Sequence, residues 1–286
     1  MIGEGEKMEK IVVVDGHNLL FRMYYGIPAS ILNREGREIK GLVGFLGSLK
    51  KLAEQFDPCA LAVVFDSETS WTGNLAIDSG YKANRRDYAD VPEGENPFAQ
   101  LPLIKKALDY LDIPHREAEG VEADDFIASL VAREGAAGRA CTVVSTDSDF
   151  IQLVDGRTTL YVPRGKNSVL FDCRRVRERF QVSPGEYVLY KALVGDKSDN
   201  IEGVRGIGPK TAAAILHSGG IAPYIAAQPA SKTAGILREN RDKIVRNERL
   251  IALDRTLDTG ALVPRRPSPA LRERKTYEII AAIGER

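Results

Sequence analysis

Residues 121–150 read VEADDFIASLVAREGAAGRACTVVSTDSDF, and the reading of this stretch decides the fold. Its acids fall into two tight groups, Glu122, Asp124 and Asp125, then Asp147 and Asp149. Between them Phe126, Ile127, Leu130 and Val131 recur at helical spacing, followed by the apolar run Ala140–Val144. The pattern is helix, turn and buried parallel strand, with Asp147 and Asp149 released at the strand's C-terminal end. Open α/β sheets bind ligands outside those strand ends, so both acidic groups are expected to converge there. Carboxylates within a few ångströms repel one another, and hard oxygen-seeking cations such as Mg²⁺ or Mn²⁺ relieve that repulsion. A plainer alternative stays open: acids favour a helix N-terminus, and Asp147 caps the next helix.

Upstream, the pattern repeats. Ile11–Val14 is an apolar run ending in Asp15, followed by Gly16-His17-Asn18, and Ala60–Phe65 is another ending in Asp66. Three strand-terminal acids in one α/β sheet share one edge. A helix is predicted from Gly41 to Gln55, broken by Asp57-Pro58, and another from Pro97 to Leu111. Residues 67–100 have weak periodicity, several glycines and two prolines before that helix, which suggests a lid or binding loop.

Downstream, Thr158–Val162 and Ser168–Phe171 are predicted strands around Arg164-Gly165-Lys166, followed by an Arg-rich helical piece from Asp172 to Phe180. Ser183-Pro184-Gly185-Glu186 carries a helix-start pattern, and Tyr187, Leu189, Tyr190, Leu193 and Val194 form the helix that Gly195 ends. Asp196 and Asp199 come next, then GVRGIGPKTAAAIL at 203–216. Gly206 and Gly208 let the backbone approach a ligand closely, while free amides and Lys210 favour an anion. Small helices and a short extended piece near Ala261–Pro264 complete the chain, with no internal repeat.

The 286 residues suffice for one large or two smaller cores, and 43% hydrophobic with 28% charged content describes an ordinary globular chain. No apolar run reaches the ~20 residues of a membrane span. The polar MIGEGEKMEK start lacks a signal peptide's hydrophobic region, and Cys59, Cys141 and Cys173 form neither metal spacing nor an even disulfide set. A reducing cytoplasm is expected. Forty basic residues balance forty acidic ones, but Lys/Arg gather at 82–86, 174–179 and 205–210, patches of the kind that track phosphates.

These pieces resemble the 5′ nuclease (flap endonuclease) superfamily, above all the 5′→3′ exonuclease domain of bacterial DNA polymerase I and its free-standing relatives. The matching segments are VVVDGHNLLFR (12–22), VVFD (63–66), GYKANR (80–85), VEADDFIASL (121–130), STDSDFIQLV (145–154) and LVGDKSDNIEGVRGIGPKTA (193–212). The resemblance implies a central, mostly parallel sheet flanked by helices (PIN-like), a helical arch, and a C-terminal helix–three-turn–helix DNA-binding subdomain. It implies a metal-dependent nuclease domain over 1–182, with the arch region at 67–100, and a helical subdomain over 183–286, with the hairpin at 195–216.

It further implies nine catalytic carboxylates. Asp15, Asp66, Glu122 and Asp124 would hold one Mg²⁺ or Mn²⁺, and Asp149, Asp196 and Asp199 a second. Asp147 would lie near both, and Asp125 would support the cluster. Lys82 and Arg85, at the base of the arch, would bind the scissile phosphate or steer the single-stranded arm. Arg22, Tyr81, Arg86, Arg205, Gly206, Gly208, Lys210 and Thr211 complete the implied DNA contacts, with K⁺ at the hairpin, and Tyr24 is a candidate for base stacking. No Ser/His/Asp or Cys/His arrangement is evident among only three histidines.

The expected activity is 5′→3′ exonuclease and flap endonuclease cleavage of DNA and RNA primers in replication and repair, by a monomer acting on branched or 5′-flapped duplex or RNA–DNA hybrid, with no membrane partner. Two features depart from the family pattern: Trp71-Thr72-Gly73-Asn74 replaces an aromatic-Arg pair, and the arch carries Asp87, Asp90, Glu93 and Glu95. The competing readings are a PIN-type ribonuclease and a non-catalytic branched-DNA binding module. The 203–216 hairpin disfavours the first, and nine clustered acids disfavour the second.

Overall fold

In a computed structural model the described residues are 9–67, 88 and 91–285. The strands are β1 (Lys10–Asp15), β2 (Ala60–Asp66), β3 (His115–Ala118), β4 (Ala140–Val144), β5 (Thr158–Val162) and β6 (Val169–Phe171). They form one sheet in the order β3-β2-β1-β4-β5-β6, parallel except for the antiparallel β5–β6 pair. The mostly parallel α/β sheet expected from the sequence is therefore present. β1 lies at the centre, and the chain builds outward from it first through β2 and β3, then through β4. A crevice opens at such a reversal, outside the C-terminal ends of β1 and β4.

Helices cover both faces, which is why β1 is apolar on successive residues. Ile11 and Val13 enter one core with Phe126, Ile127, Leu130 and Val143. Val12 and Val14 enter the other with Leu20, Leu42, Phe45, Leu49 and Ile104. The helices of the second face are α1 (Gly16–Gly26), α2 (Lys40–Phe56) and α3 (Leu101–Tyr110), and α4 (Ala123–Ala136) covers the first. Within the sheet domain, two elements escaped sequence reading. β3 has the polar sequence HREA and is a strand because the edge of β2 pairs with it from Val63 to Asp66. α1 starts at Gly16 immediately after β1, capped by Asp15.

Beyond α5 (Cys173–Phe180), the chain becomes helical. The sequence continues through α6 (Tyr187–Val194), a two-strand hairpin of β7 (Gly195–Asp196) and β8 (Ile201–Glu202), and α7 (Pro209–His217). Next come α8 (Ile221–Ala227), α9 (Lys232–Glu239) and α10 (Arg241–Ile251). These helices share the α4-side core, with Leu193, Ile215, Leu237 and Ile251 in the same cluster as Ile127. Asn247, fully buried, donates to the carbonyls of Ala192 (3.0 Å) and Glu202 (2.9 Å) and ties the hairpin to α10.

One face of α4 holds the segment that leaves α10. Asp125 Oδ1 accepts from the Asp254 amide at 2.8 Å, and Ser129 Oγ donates to the Asp254 carbonyl at 3.0 Å. One turn on, Arg133 donates to the carbonyls of Thr259 and Leu262. The residues stand four apart, the spacing that stacks side chains on one helix face. The extended piece expected near 261–264 is a single bridge, Leu61 to Arg265, where β3 does not reach β2. The last helices, α11 (Ala270–Glu273) and α12 (Thr276–Ala282), return to α2, and Glu285 accepts from Asn33 at 2.8 Å. No helix among the described residues is long and apolar enough to cross a membrane.

The hairpin's glycines do different things. Gly195 (φ +89) and Gly203 cross backbone on backbone, and a Cβ on Gly203 would meet Val194 carbonyl atoms at 2.3 Å. A Cβ on Gly208 would meet nothing within 4 Å. Gly203→Ala is expected to cost about 1–3 kcal/mol of unfolding free energy, whereas Gly208→Ala should stay within about 0.5 kcal/mol. Urea denaturation of both variants checks the contrast.

Candidate metal centre and nucleic-acid interface

The crevice is stitched before it is charged. Asp15 ends β1 and caps α1, its Oδ1 accepting the Asn18 amide at 3.1 Å. Its Oδ2 accepts from Ser145 Oγ at 2.8 Å, at the end of β4, and Ser145 Oγ in turn accepts the Asp147 amide at 3.0 Å. Asn18 Oδ1 accepts from the amide and hydroxyl of Thr146, both at 2.9 Å. Burial, then the neighbouring Asp66 and Asp147 charges, push the Asp15 carboxyl up to about 7, with the bonds from Ser145 and Asn18 opposing.

Asp66 brings in the next acids. Its Oδ1 accepts the Ala123 amide at 3.0 Å, fixing the start of α4, with Glu122 and Asp124, against the end of β2. Glu122 is buried at the N-cap position without a capping bond, and Asp124 and Asp125 lie in the first turn. His17 Nδ1 accepts the Asp66 amide at 3.1 Å and lies 3.5 Å from the Asp66 carboxylate. Asp147 caps the turn Ser148–Leu153 through the Asp149 amide at 2.8 Å. Asp15 and Asp147 are therefore both caps, as the plainer reading expected for Asp147.

Deeper in, Asp149, Asp196 and Asp199 each offer an oxygen within 4.8 Å of the others. Asp149 and Asp199 are buried, and Asp196 is partly so. Burial, then Asp147, pushes the Asp149 carboxyl up to about 7 against the pull of Lys191. For Asp196 burial acts in the same direction, but Lys191 and Ser198 outweigh it and hold the carboxyl below its usual range. The donor set is all carboxylate, without thiolate, and therefore fits hard divalent cations.

Sequence reading missed Lys191. It is 5% exposed, and its ammonium pairs with both Asp149 Oδ1 and Asp196 Oδ2. The readable signal was a lysine on the buried side of α6, between Tyr190 and Ala192, five residues before Asp196.

Among the implied DNA contacts, Tyr81, Lys82, Arg85 and Arg86 lie outside the described residues, as does Trp71–Asn74. Arg22 is half-buried on α1, and burial together with the nearby Arg164 guanidinium holds it below its usual range. At the hairpin Val204 and Ile207 are buried while Arg205, Gly206, Gly208 and Lys210 face solvent, with Thr211 half-buried. Gly206 needs its left-handed φ of +91, and no side chain caps the start of α7. Tyr24 does not fit base stacking: it is 4% exposed, its hydroxyl donates to the Gly94 carbonyl, and Lys40 covers its ring at 4.4 Å. The exposed neighbour is Tyr25, whose hydroxyl meets that of Tyr88 at 2.9 Å.

Comparison with known proteins adds the family. Residues 10–181 match the 5′-3′ exonuclease N-terminal resolvase-like domain, and residues 182–265 match the 5′-3′ exonuclease C-terminal SAM fold. The 5′-3′ exonuclease of Aquifex aeolicus is 35% identical over 210 residues, covering 73% of this chain and 69% of that one. The thermostable DNA polymerase I of Thermus filiformis is 35% identical over 211 residues, 74% of this chain but 24% of the polymerase. The chain thus spans about a quarter of the length of that relative. The T5 5′-exonuclease with bound zinc shares the fold, with a TM-score of 0.71, 22% identity, and 96% and 100% of the two chains covered. The bacteriophage T5 flap endonuclease in a pseudo-enzyme-product complex with DNA and metal ions has a TM-score of 0.69 at 23% identity, covering 96% and 100%.

Asp15 and Asp149 have folded-state carboxyls raised from 3.8 to about 7, so without metal the native state holds protons that the unfolded chain releases. Their stability contribution is fully present below about pH 4 and is lost as pH rises through about 7. Calorimetry in EDTA should show a lower Tm at pH 8 than at pH 5.5, and Asp15→Asn should flatten the decline by on the order of 1–3 kcal/mol. A Tm that climbs across this range in both proteins would contradict the assignment.

Proposed function

The chain belongs to the 5′-3′ exonuclease family, and we propose that it is a divalent-metal-dependent, structure-specific 5′→3′ exonuclease and flap endonuclease of DNA and RNA primers. The observation that carries this reading is the convergence of Asp149, Asp196 and Asp199 in one buried cluster, beside the stitched edge of Asp15, Ser145 and Asp147. Relatives in this fold were determined with metal ions and DNA, which supports the same reading.

In this proposal Asp15, Asp66, Glu122 and Asp124 hold one Mg²⁺ or Mn²⁺, Asp149, Asp196 and Asp199 hold another, and Asp147 lies between the two groups. Two such ions supply Lewis-acid activation of water and neutralise charge on the attacking and leaving oxygens of a phosphodiester. The protein's own part is positional. Ser145 and Asn18 fix the Asp15 carboxylate, and the Ala123 amide fixes that of Asp66. Asp125 acts as a positioning residue through the Asp254 amide.

The chain divides into a nuclease domain over residues 1–182 and a helical subdomain over 183–286, which supplies Asp196 and Asp199 to the cleft and grips duplex. Arg205, Lys210, Thr211 and the amides beside Gly206 and Gly208 bind phosphates without reading bases, with K⁺ assigned to the same hairpin. Arg22 joins Tyr81, Lys82, Arg85 and Arg86 on the single-stranded arm and the scissile phosphate. The substrates are branched or 5′-flapped duplex and RNA–DNA hybrid, met by a monomer in the cytoplasm, where three free cysteines are at home. The setting is replication and repair.

With Mg²⁺ the protein should cut a 5′-labelled double-flap DNA near its junction, and Asp147→Ala should slow cutting by a factor on the order of 10³ or more while flap binding persists. Tight flap binding without cutting in Mg²⁺ or Mn²⁺ would leave a binding module instead. Lys210→Ala should weaken duplex binding equally across sequences and reduce the slope of log K against log salt by about one, as fluorescence anisotropy over a salt series would show.

A further inference from the structure

Lys191 does not behave as an ordinary structural lysine. It is 5% exposed, on the last turn of α6, where the Gly195 amide bonds its carbonyl and fixes the helix end. Its ammonium pairs with Asp149 Oδ1 on the turn after β4 and with Asp196 Oδ2 on the hairpin strand, and stands 3.5 Å from Ser148 Oγ. Both carboxylate partners belong to the converging set of three that includes Asp199. A buried lysine is unfavourable without counter-charge, and buried acids side by side are unfavourable without a cation. Here each satisfies the other inside the space where a divalent ion would be coordinated.

We propose that Lys191 is a built-in counter-cation of the second metal site, so that an ion entering among Asp149, Asp196 and Asp199 must take carboxylate oxygens from its ammonium. The inference rests on the reading of that triad as a metal site. Two consequences follow from the charges alone. The triad is held together before metal arrives, because the ammonium offsets the repulsion among its carboxylates. Metal affinity is also lowered, because the ion displaces an existing partner and meets like charge. The second site is therefore the weaker and more readily emptied of the two. A lysine acting only as a packing element would leave metal affinity where it was.

The test is equilibrium binding of Mn²⁺ to the metal-free full chain at pH 8, with free Mn²⁺ read by electron paramagnetic resonance. The set comprises wild type, Lys191→Met, Lys191→Arg and Asp149→Asn. Wild type should show a stronger and a weaker class of site, and Asp149→Asn should remove or cripple the weaker one. Lys191→Met should tighten the weaker class by about tenfold or more, and Lys191→Arg, which keeps the cation, should stay within about threefold of wild type. By calorimetry, Lys191→Met should melt lower than wild type without metal and gain more from saturating Mn²⁺. Should Lys191→Met not fold without metal, Lys191→Gln undergoes the same titration.

A weaker class that is unchanged or loosened in the neutral variants would overturn the role of Lys191 while leaving the second metal site standing. A single class in wild type, indifferent to Asp149→Asn, would remove that site and this inference with it.

Discussion

Carboxylates crowded into one buried edge repel, and much of this structure is the means of holding them there. Asp15 and Asp149 are nearly inaccessible, and burial together with their acidic neighbours drives both carboxyls up to about 7. Neither is left bare. Asp15 takes a backbone amide and the Ser145 hydroxyl, while Asp149 and Asp196 share one buried ammonium. Hydrogen bonds to an ionised carboxylate favour it over its acid form, so these contacts preserve negative charge against the desolvation that would remove it. The result is an edge of hydrogen-bonded oxygens, whose charge a hard cation would favour over the proton.

The same edge joins the parts of the molecule. α4 presents its N-terminus to Asp66 through the Ala123 amide, and its Asp125–Ser129–Arg133 face to the chain leaving α10. The helices after β6 share the core beneath α4 with the sheet. Asp149 and Asp196 come from either side of that junction, one from the turn after β4 and the other from the hairpin after α6. The two carboxylates thus meet over one continuous core shared by the sheet and the later helices.

Much of this was legible. β1, β2 and β4 are short apolar runs closed by acids or leading to them, and period and length sufficed to mark them as buried parallel strands. The 195–216 hairpin announced itself through its glycines, of which Gly195 and Gly203 cross backbone on backbone while Gly208 faces open space. β3 was illegible because HREA has no strand periodicity and pairs only along the free edge of β2. α1 was illegible because its opening Gly16-His17-Asn18 reads as a loop until Asp15 is seen capping it. Lys191 was passed over, since no local pattern reveals which charges lie across a cleft.

What the sequence determined by itself was the chemistry and its order along the chain: acids at strand tips, a glycine hairpin, basic patches, and the class of fold able to bring such tips together. Those features are local, and local propensity and periodicity carry them. Only the tertiary structure decided which acids share a cluster, which serve as caps or struts, and which cation stands among them. Asp149, Asp196 and Lys191 are separated by up to 47 residues, and their meeting depends on the packing of α6 against the turn after β4. Tyr24 shows the same limit from the other side, an aromatic beside a cleft whose hydroxyl and ring are already engaged. Proximity is a property of the packed core, and no single segment of the chain contains it.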